Sequence, residues 1–146
     1  MSKRQALSFA ATLHVRDTCL CLHVQRAARA LARRFDDALR PVGLTSGQFS
    51  LLMALNRPQP PRMGEVAALL AMDRTTLTAN LKPLERHGLV RVTVDAADKR
   101  SRRLELSAAG RAVLTAALPL WQRTEVDIEN SVPDADALRG ALMALA

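Results

Sequence analysis

Two groups of residues in this 146-residue chain carry chemistry by type and spacing. The first is Cys19-Leu20-Cys21-Leu22-His23, with His14 and Asp17 nearby in sequence. Thiolates two apart can bind a soft metal or metalloid, or be oxidised, so Cys19 and Cys21 are candidate sensor residues. On a continuous helix they point about 200° apart, because each residue turns about 100°. Chelation then needs a helix that starts after Cys21, or ligands from a partner chain. Two reduced core thiols in a dimer interface are the plainer reading. His14, His23 and His87 are too scattered to form a metal triad, and no metal is expected. No Ser-His-Asp set, phosphate loop, CxxC pair or carboxylate pair stands in a catalytic setting. The chain offers no enzyme and no cofactor site.

The second group is cationic and hydroxylated. Arg74, Thr75, Thr76, Thr78 and Lys82 lie in the run Asp73-Arg74-Thr75-Thr76-Leu77-Thr78-Ala79-Asn80-Leu81-Lys82-Pro83-Leu84. Arg reads guanine in bidentate fashion, and Thr bonds a phosphate or touches a thymine methyl. Thr76 is also placed to help cap its helix. Further along, Lys99, Arg100, Arg102 and Arg103 follow Asp98 in a charged turn. Strand alternation separates Arg102 from Arg100 and Arg103, so not all of them face one partner. Arg100 is the candidate for minor-groove insertion.

These groups need elements to hold them. Leu77, Leu81 and Leu84 recur at i, i+4 and i+7, one buried stripe of a helix over about 74–87. Asp73 is its N-cap and Gly88 its left-handed stop. A short helix over 62–72, with Val66, Leu69 and Leu70 on its apolar side, precedes it across a tight turn. That pair is a helix-turn-helix, whose second helix enters the DNA major groove. Pro83 should bend the end of the second helix at a cost of ~3 kcal/mol. Burying Leu81 and Leu84, at roughly 1.5–3 kcal/mol each, can offset it. Residues 89–94 alternate apolar and polar, 95–102 form a charged turn, and 103–106 alternate again, so the helix pair is followed by a hairpin wing.

In this order the residues resemble a MarR-type transcriptional regulator. The matching stretches are Asp73 to Thr78, Leu84 to Val90, Asp98-Lys99-Arg100, and Leu104 to Gly110. The likeness extends from about Leu20 to the end. It implies that Asp98 braces the wing turn and that Arg100 reaches the minor groove. It also implies a dimer whose recognition helices lie roughly 34–36 Å apart to read a pseudo-palindrome.

The flanks are helical. A long helix is expected over 17–40, striped by Leu20, Val24, Ala27, Ala28, Leu31, Phe35 and Leu39, with Arg26, Arg29, Arg33 and Arg34 opposite. Thr45 to Gln48 has capping-box spacing and opens a helix burying Phe49, Leu52, Met53 and Leu55. Ser107 opens another helix, kinked at Pro119, in which Trp121 is a core anchor. Asp134 caps a last one. The terminal helices lack partners for all their apolar faces, and a two-fold dimer is the economical solution. The expected fold is mainly α with a small β wing. A winged helix-turn-helix over 45–107 is flanked by helical dimerisation regions over 17–44 and 108–146, with an N-terminal arm over 1–16.

Composition agrees. Lys plus Arg number 21 against 14 for Asp plus Glu, a net charge of +7, which favours polyanions. Aromatics are 3% of the chain, so the core must be Leu, Ala and Val. No apolar run approaches the roughly 20 residues of a membrane span, and a cytoplasmic protein with no membrane partner is expected. The expected function is sequence-specific regulation of transcription, most simply repression, by a homodimer on double-stranded DNA. A small-molecule effector or a thiol-reactive signal would release it. The alternative is a winged-helix module for non-specific DNA compaction or protein contacts, without an effector.

Overall fold

The computed structural model describes residues 6–146. Helix α1 spans Phe9–Thr18, with the Ser8 hydroxyl accepting the Ala11 amide. The chain breaks at Cys19, which is extended (φ −69°, ψ 108°), and α2 runs over Leu20–Leu39. This corrects two expectations. Residues 9–16 are helical rather than an arm, because Ser8 supplies a cap; residues 1–5 of that arm lie outside the described residues. The single helix expected over 17–40 is two, and at the break the Thr18 hydroxyl donates to the His14 carbonyl at 2.7 Å.

A 3₁₀ turn over Arg40–Val42 ends at Gly43 in the left-handed region (φ 74°). Helix α3, Ser46–Ala54, starts at the complete Thr45–Gln48 capping box. Asp36 of α2 accepts the Ser46 amide at 2.6 Å, tying the two helices. Helix α4 covers Met63–Leu69 and α5 covers Arg74–Arg86. The turn between them closes with Met72 N–H donating to the Ala67 carbonyl and Ala71 N–H to that of Ala68. This arrangement puts Ala71 at φ 50°, a position that usually takes glycine. The same closure ends α5, where Leu89 N–H reaches the Leu84 carbonyl and Gly88 sits at φ 70°.

Strands β1, Val90–Val94, and β2, Arg102–Leu106, form an antiparallel hairpin in register from Val90↔Leu106 to Val94↔Arg102. Helix α6, Ala108–Glu129, begins at the Ser107 cap and continues through Pro119. Helix α7, Ala135–Met143, begins at the Asp134 cap. Arg139 fastens α7 to α6 by pairing with Glu125 and Glu129, and within α7 it also pairs with Asp136.

The core gathers Leu39, Leu52, Leu77, Leu81, Leu84, Leu104 and Val66. Met53, expected to be buried, is exposed, and so is Leu69 from the expected apolar side of α4. Leu51 and Ala54 take the inner places on α3 instead, and Val66 and Ala67 do so on α4.

One glycine fixes how the wing meets α6. A Cβ at Gly110 would lie 2.2 Å from the Leu89 carbonyl oxygen. That oxygen already accepts the Ser107 amide at 3.0 Å, so it cannot retreat without losing a bond. Gly110→Ala should destabilise the fold by roughly 1–3 kcal/mol in chemical denaturation, as overpacking does. Gly140→Ala, in α7 with open space around it, should be neutral or stabilise by up to about 1 kcal/mol.

Candidate nucleic-acid interface

The orientation of α5 follows from its leucines. Leu77, Leu81 and Leu84 are at most 1% exposed, so the opposite face looks outward. Arg74, Thr75, Thr76, Thr78 and Lys82 are all exposed. Their states differ. Asp73 accepts both the Thr76 amide, at 2.7 Å, and the Thr76 hydroxyl, at 2.9 Å. The Thr76 hydroxyl proton is therefore engaged in the cap. Those same two bonds, the amide foremost, hold the Asp73 carboxyl below its ordinary value. Thr78 donates to the Arg74 carbonyl at 2.8 Å, as a helical Thr often does. Pro83 lies inside α5, which runs on to Arg86; the His87 ring Nδ1 sits 2.7 Å from the Pro83 carbonyl.

Arg74 folds back toward α4. Its Nη2 lies 3.2 Å from where a Cβ on Gly64 would be. Any larger residue at 64 would press on the guanidinium. Arg74 thereby borders a cleft of about 400 Å³ whose other walls include Arg62, Asp98 and Arg100. The cleft joins the start of α5 to the wing tip. Arg74, Asp98 and Arg100 share it. Lys82, two turns further along α5, and Lys99 and Arg102, on the wing, are not among its lining residues.

At the tip, Asp98 Oδ1 accepts the Arg100 amide at 3.0 Å, and its carbonyl accepts the Ser101 amide at 2.9 Å. Arg102 Nη1 donates to the Lys99 carbonyl at 3.1 Å. Arg100 itself projects into solvent. Arg103, grouped with Arg100 by the sequence, instead turns the other way while Arg102 stays exposed with Arg100, as a period of two requires; the Arg103 Nη1 donates to the Pro60 carbonyl at 2.8 Å.

Sequence reading passed over Asp95. It is 5% exposed and is the one buried charged residue among those described. The Ala97 amide donates to its Oδ1 at 3.2 Å. Arg103 Nε stands 3.5 Å from Oδ1, and Arg62 Nε stands 3.1 Å from Oδ2. The only available signal was an acid opening a turn rich in bases, which a solvated loop would show equally.

Two other features lie away from this face. Phe49 and Trp121 stack at 6.1 Å between ring centroids. With Met53, Leu69, Leu70 and Leu118 they line an apolar pocket of about 390 Å³ between α3, α4 and α6. Cys19 is half-buried at the α1–α2 break, and Cys21 is exposed in the first turn of α2; both are free thiols. The break frees Cys19 from a continuous helix, but α2 starts at Leu20, before Cys21, so the helix start after Cys21 that chelation within one chain needs is not met. Among the described residues no group of three or more His, Cys, Asp or Glu could hold a metal ion. Among the described residues no helix is long and apolar enough to cross a membrane.

The sequence profile of the MarR family matches residues 42–101. The transcriptional activatory protein BadR of Rhodopseudomonas palustris is 33% identical over 97 residues, covering 64% of this chain and 55% of that protein. The chain spans about half the length of the curated relatives it matches. Solved structures align more fully. The M. tuberculosis transcriptional regulator MosR in complex with DNA is 44% identical, covers 88% of this chain and 93% of that one, and has a TM-score of 0.82. The transcriptional repressor CouR, bound to a 23-mer DNA duplex, is 29% identical, covers 97% of this chain and 96% of that one, and has a TM-score of 0.74.

The Asp95 carboxyl is held below its ordinary value of 3.8, by the Ala97 amide first and then by Arg103 and Arg62, against burial that pushes it up. A depressed carboxylate contributes its full stability above the unfolded pKa and loses it as pH falls through the lower, folded value. Hydrogen-exchange protection factors of the Ala97 and Leu104 amides should hold steady from about pH 7 to 5. They should collapse only below the ordinary carboxylate range, about pH 3.9. A collapse already near about pH 6 would assign the wing base to another titrating group, such as a histidine.

Proposed function

The chain belongs to the MarR family of transcriptional regulators, and on that premise we propose that it binds a pseudo-palindromic operator as a homodimer and represses transcription until a signal releases it. The observation that carries this reading is the shared cleft. The first turn of α5, with Arg74, and the wing tip, with Asp98 and Arg100, border one space open to solvent. A helix for the major groove and a cation for the adjacent minor groove thus sit side by side. Thr75, Thr78 and Lys82 add hydroxyl and ammonium groups along the same helix face, Thr76 mainly supports the cap, and Lys99 and Arg102 supply phosphate contacts around the wing. Asp98 braces the tip through the Arg100 amide.

The dimer reading rests on unsatisfied apolar surface. Leu20, Val24 and Leu31 on α2 and Leu138 and Leu142 on α7 are exposed in the single chain. A second copy covering them would join the helical regions over 17–44 and 108–146, with the 45–107 unit of each chain facing DNA. That arrangement spaces two α5 helices about one DNA turn apart, roughly 34–36 Å.

The signal reading has two sources. The apolar pocket between α3, α4 and α6 suits a small lipophilic ligand, aligned by stacking on Trp121. Cys19 and Cys21 at the α1–α2 break suit a thiol-reactive signal. Either acts by favouring a dimer whose recognition helices are wrongly spaced.

The test is fluorescence anisotropy with a duplex from upstream of this gene against a scrambled duplex, at near-physiological salt. Wild type should prefer the upstream duplex. Arg100→Ala should weaken binding to every sequence. Arg74→Ala should in addition blur the preference, at a cost of about 1–3 kcal/mol on the best site. Equal, weak and steeply salt-dependent binding to both duplexes would favour a compaction module instead. Wild-type binding that survives both substitutions would remove this face from the interface. A mild oxidant that abolishes preference selects the thiols as the sensor, and one that leaves it intact selects the pocket.

A further inference from the structure

The wing is anchored unevenly along its length. At its root Val90, Leu104 and Leu106 are buried in the core. Beyond the Val92↔Leu104 pair that anchor stops: in the last pair, Val94↔Arg102, both residues are exposed. A hairpin of two short strands is marginal by itself, so its outer half needs another tie. Asp95 lies at that point, one residue past β1. Its contacts leave in three directions: to the Ala97 amide in the turn, to Arg103 on β2, and to Arg62, the residue just before α4. Arg62 Nε approaches Oδ2, an oxygen that accepts no hydrogen bond, so that link is a charge contact. Two bonds tie β2 to the same loop before α4. Arg103 donates to the Pro60 carbonyl at 2.8 Å, and the Leu104 amide donates to the Pro61 carbonyl at 3.0 Å.

We propose that Asp95, acting through Arg62 and Arg103, is a positioning residue for DNA binding that fixes the angle between the wing and the helix-turn-helix. The inference deepens the DNA-binding reading above and rests on it. Arg62 also walls the cleft shared by Arg74 and Arg100, so the tie sits directly beneath the two elements it relates. With the tie intact, both elements meet one duplex with no further ordering of the wing. Without it, the wing must be ordered at the moment of binding, and that conformational entropy is lost from the affinity. Asp95 touches no DNA in this scheme. Its whole effect passes through Arg100 and the groups around it.

The experiment is a double-mutant cycle on operator affinity with Asp95→Asn and Arg100→Ala. Asp95→Asn keeps the shape of the side chain and removes its charge. It should lower affinity for specific and scrambled duplexes alike by about tenfold, the size of one charge-assisted hydrogen bond. In the Asp95→Asn background Arg100→Ala should cost far less than in wild type, because the wing no longer delivers Arg100. The slope of log Kd against log salt should flatten by about one for each phosphate that the wing no longer reaches. Asp95→Glu, which restores the charge, should recover part of the affinity. Arg62→Gln removes the same tie from a half-exposed residue, and it answers the question even if Asp95→Asn does not fold. Wild-type affinity in both Asp95→Asn and Arg62→Gln overturns the proposal. So does an Arg100→Ala cost that is the same in either background. If wild type shows no preferred duplex, or Arg100→Ala changes nothing in wild type, the DNA-binding reading itself falls, and that result is separate from the other two.

Discussion

The seating of α5 against the core sets the orientation of everything that faces outward. Leu77, Leu81 and Leu84 occupy one stripe and are at most 1% exposed. Each contributes roughly 1.5–3 kcal/mol on burial, so together they hold the helix against rotation about its axis and offset the ~3 kcal/mol that Pro83 costs inside it. With that rotation fixed, Arg74, Thr75, Thr78 and Lys82 have only the solvent side to occupy. Little bulk stands among them, since Ala79 and the threonines are small, and the backbone can come close to a groove floor. A rotation of one residue, about 100°, would exchange the leucines for the cations and remove both the fold and the candidate interface.

Much of this was legible from the chain because local chemistry and global packing agree. Asp73, Thr45, Ser107 and Asp134 cap the helices that their positions predict, and Gly88 takes the left-handed conformation its place demands. The strands of the wing follow from alternation. Features that depend on distant partners were not legible. Asp95 looks like one more charge in a charged turn until Arg62, more than thirty residues earlier, is brought beside it. Met53 and Leu69 carry apolar side chains at helical spacing, which signals a core; both instead line the open pocket between α3, α4 and α6, an arrangement that cannot be read from either helix alone. The break at Cys19 was hidden as well, since neither proline nor glycine marks it in the residues around it.

The exposed apolar residues have a common location. They concentrate on α1, α2 and the C-terminal helices, away from the tightly filled winged-helix core. A leucine left in water forgoes the free energy that drove its counterparts inside, so these faces are the natural ground for self-association. On the proposed reading, the pocket beside Trp121 and the thiols at the α1–α2 break both border this region. A modest shift there is passed to α5 through rigid helices, with no unfolding required.

The central claim is that two copies of α5 and its wing read an inverted repeat. In vitro selection from a pool of randomised duplexes tests it most directly, because it presumes neither an operator nor an effector. The account predicts enrichment of one sequence made of two inverted half-sites, with centres about 10–10.5 base pairs apart and loss of enrichment when Arg74 is changed to Ala. A pool that stays random while still binding the protein, or an enriched site with a single half, would contradict it.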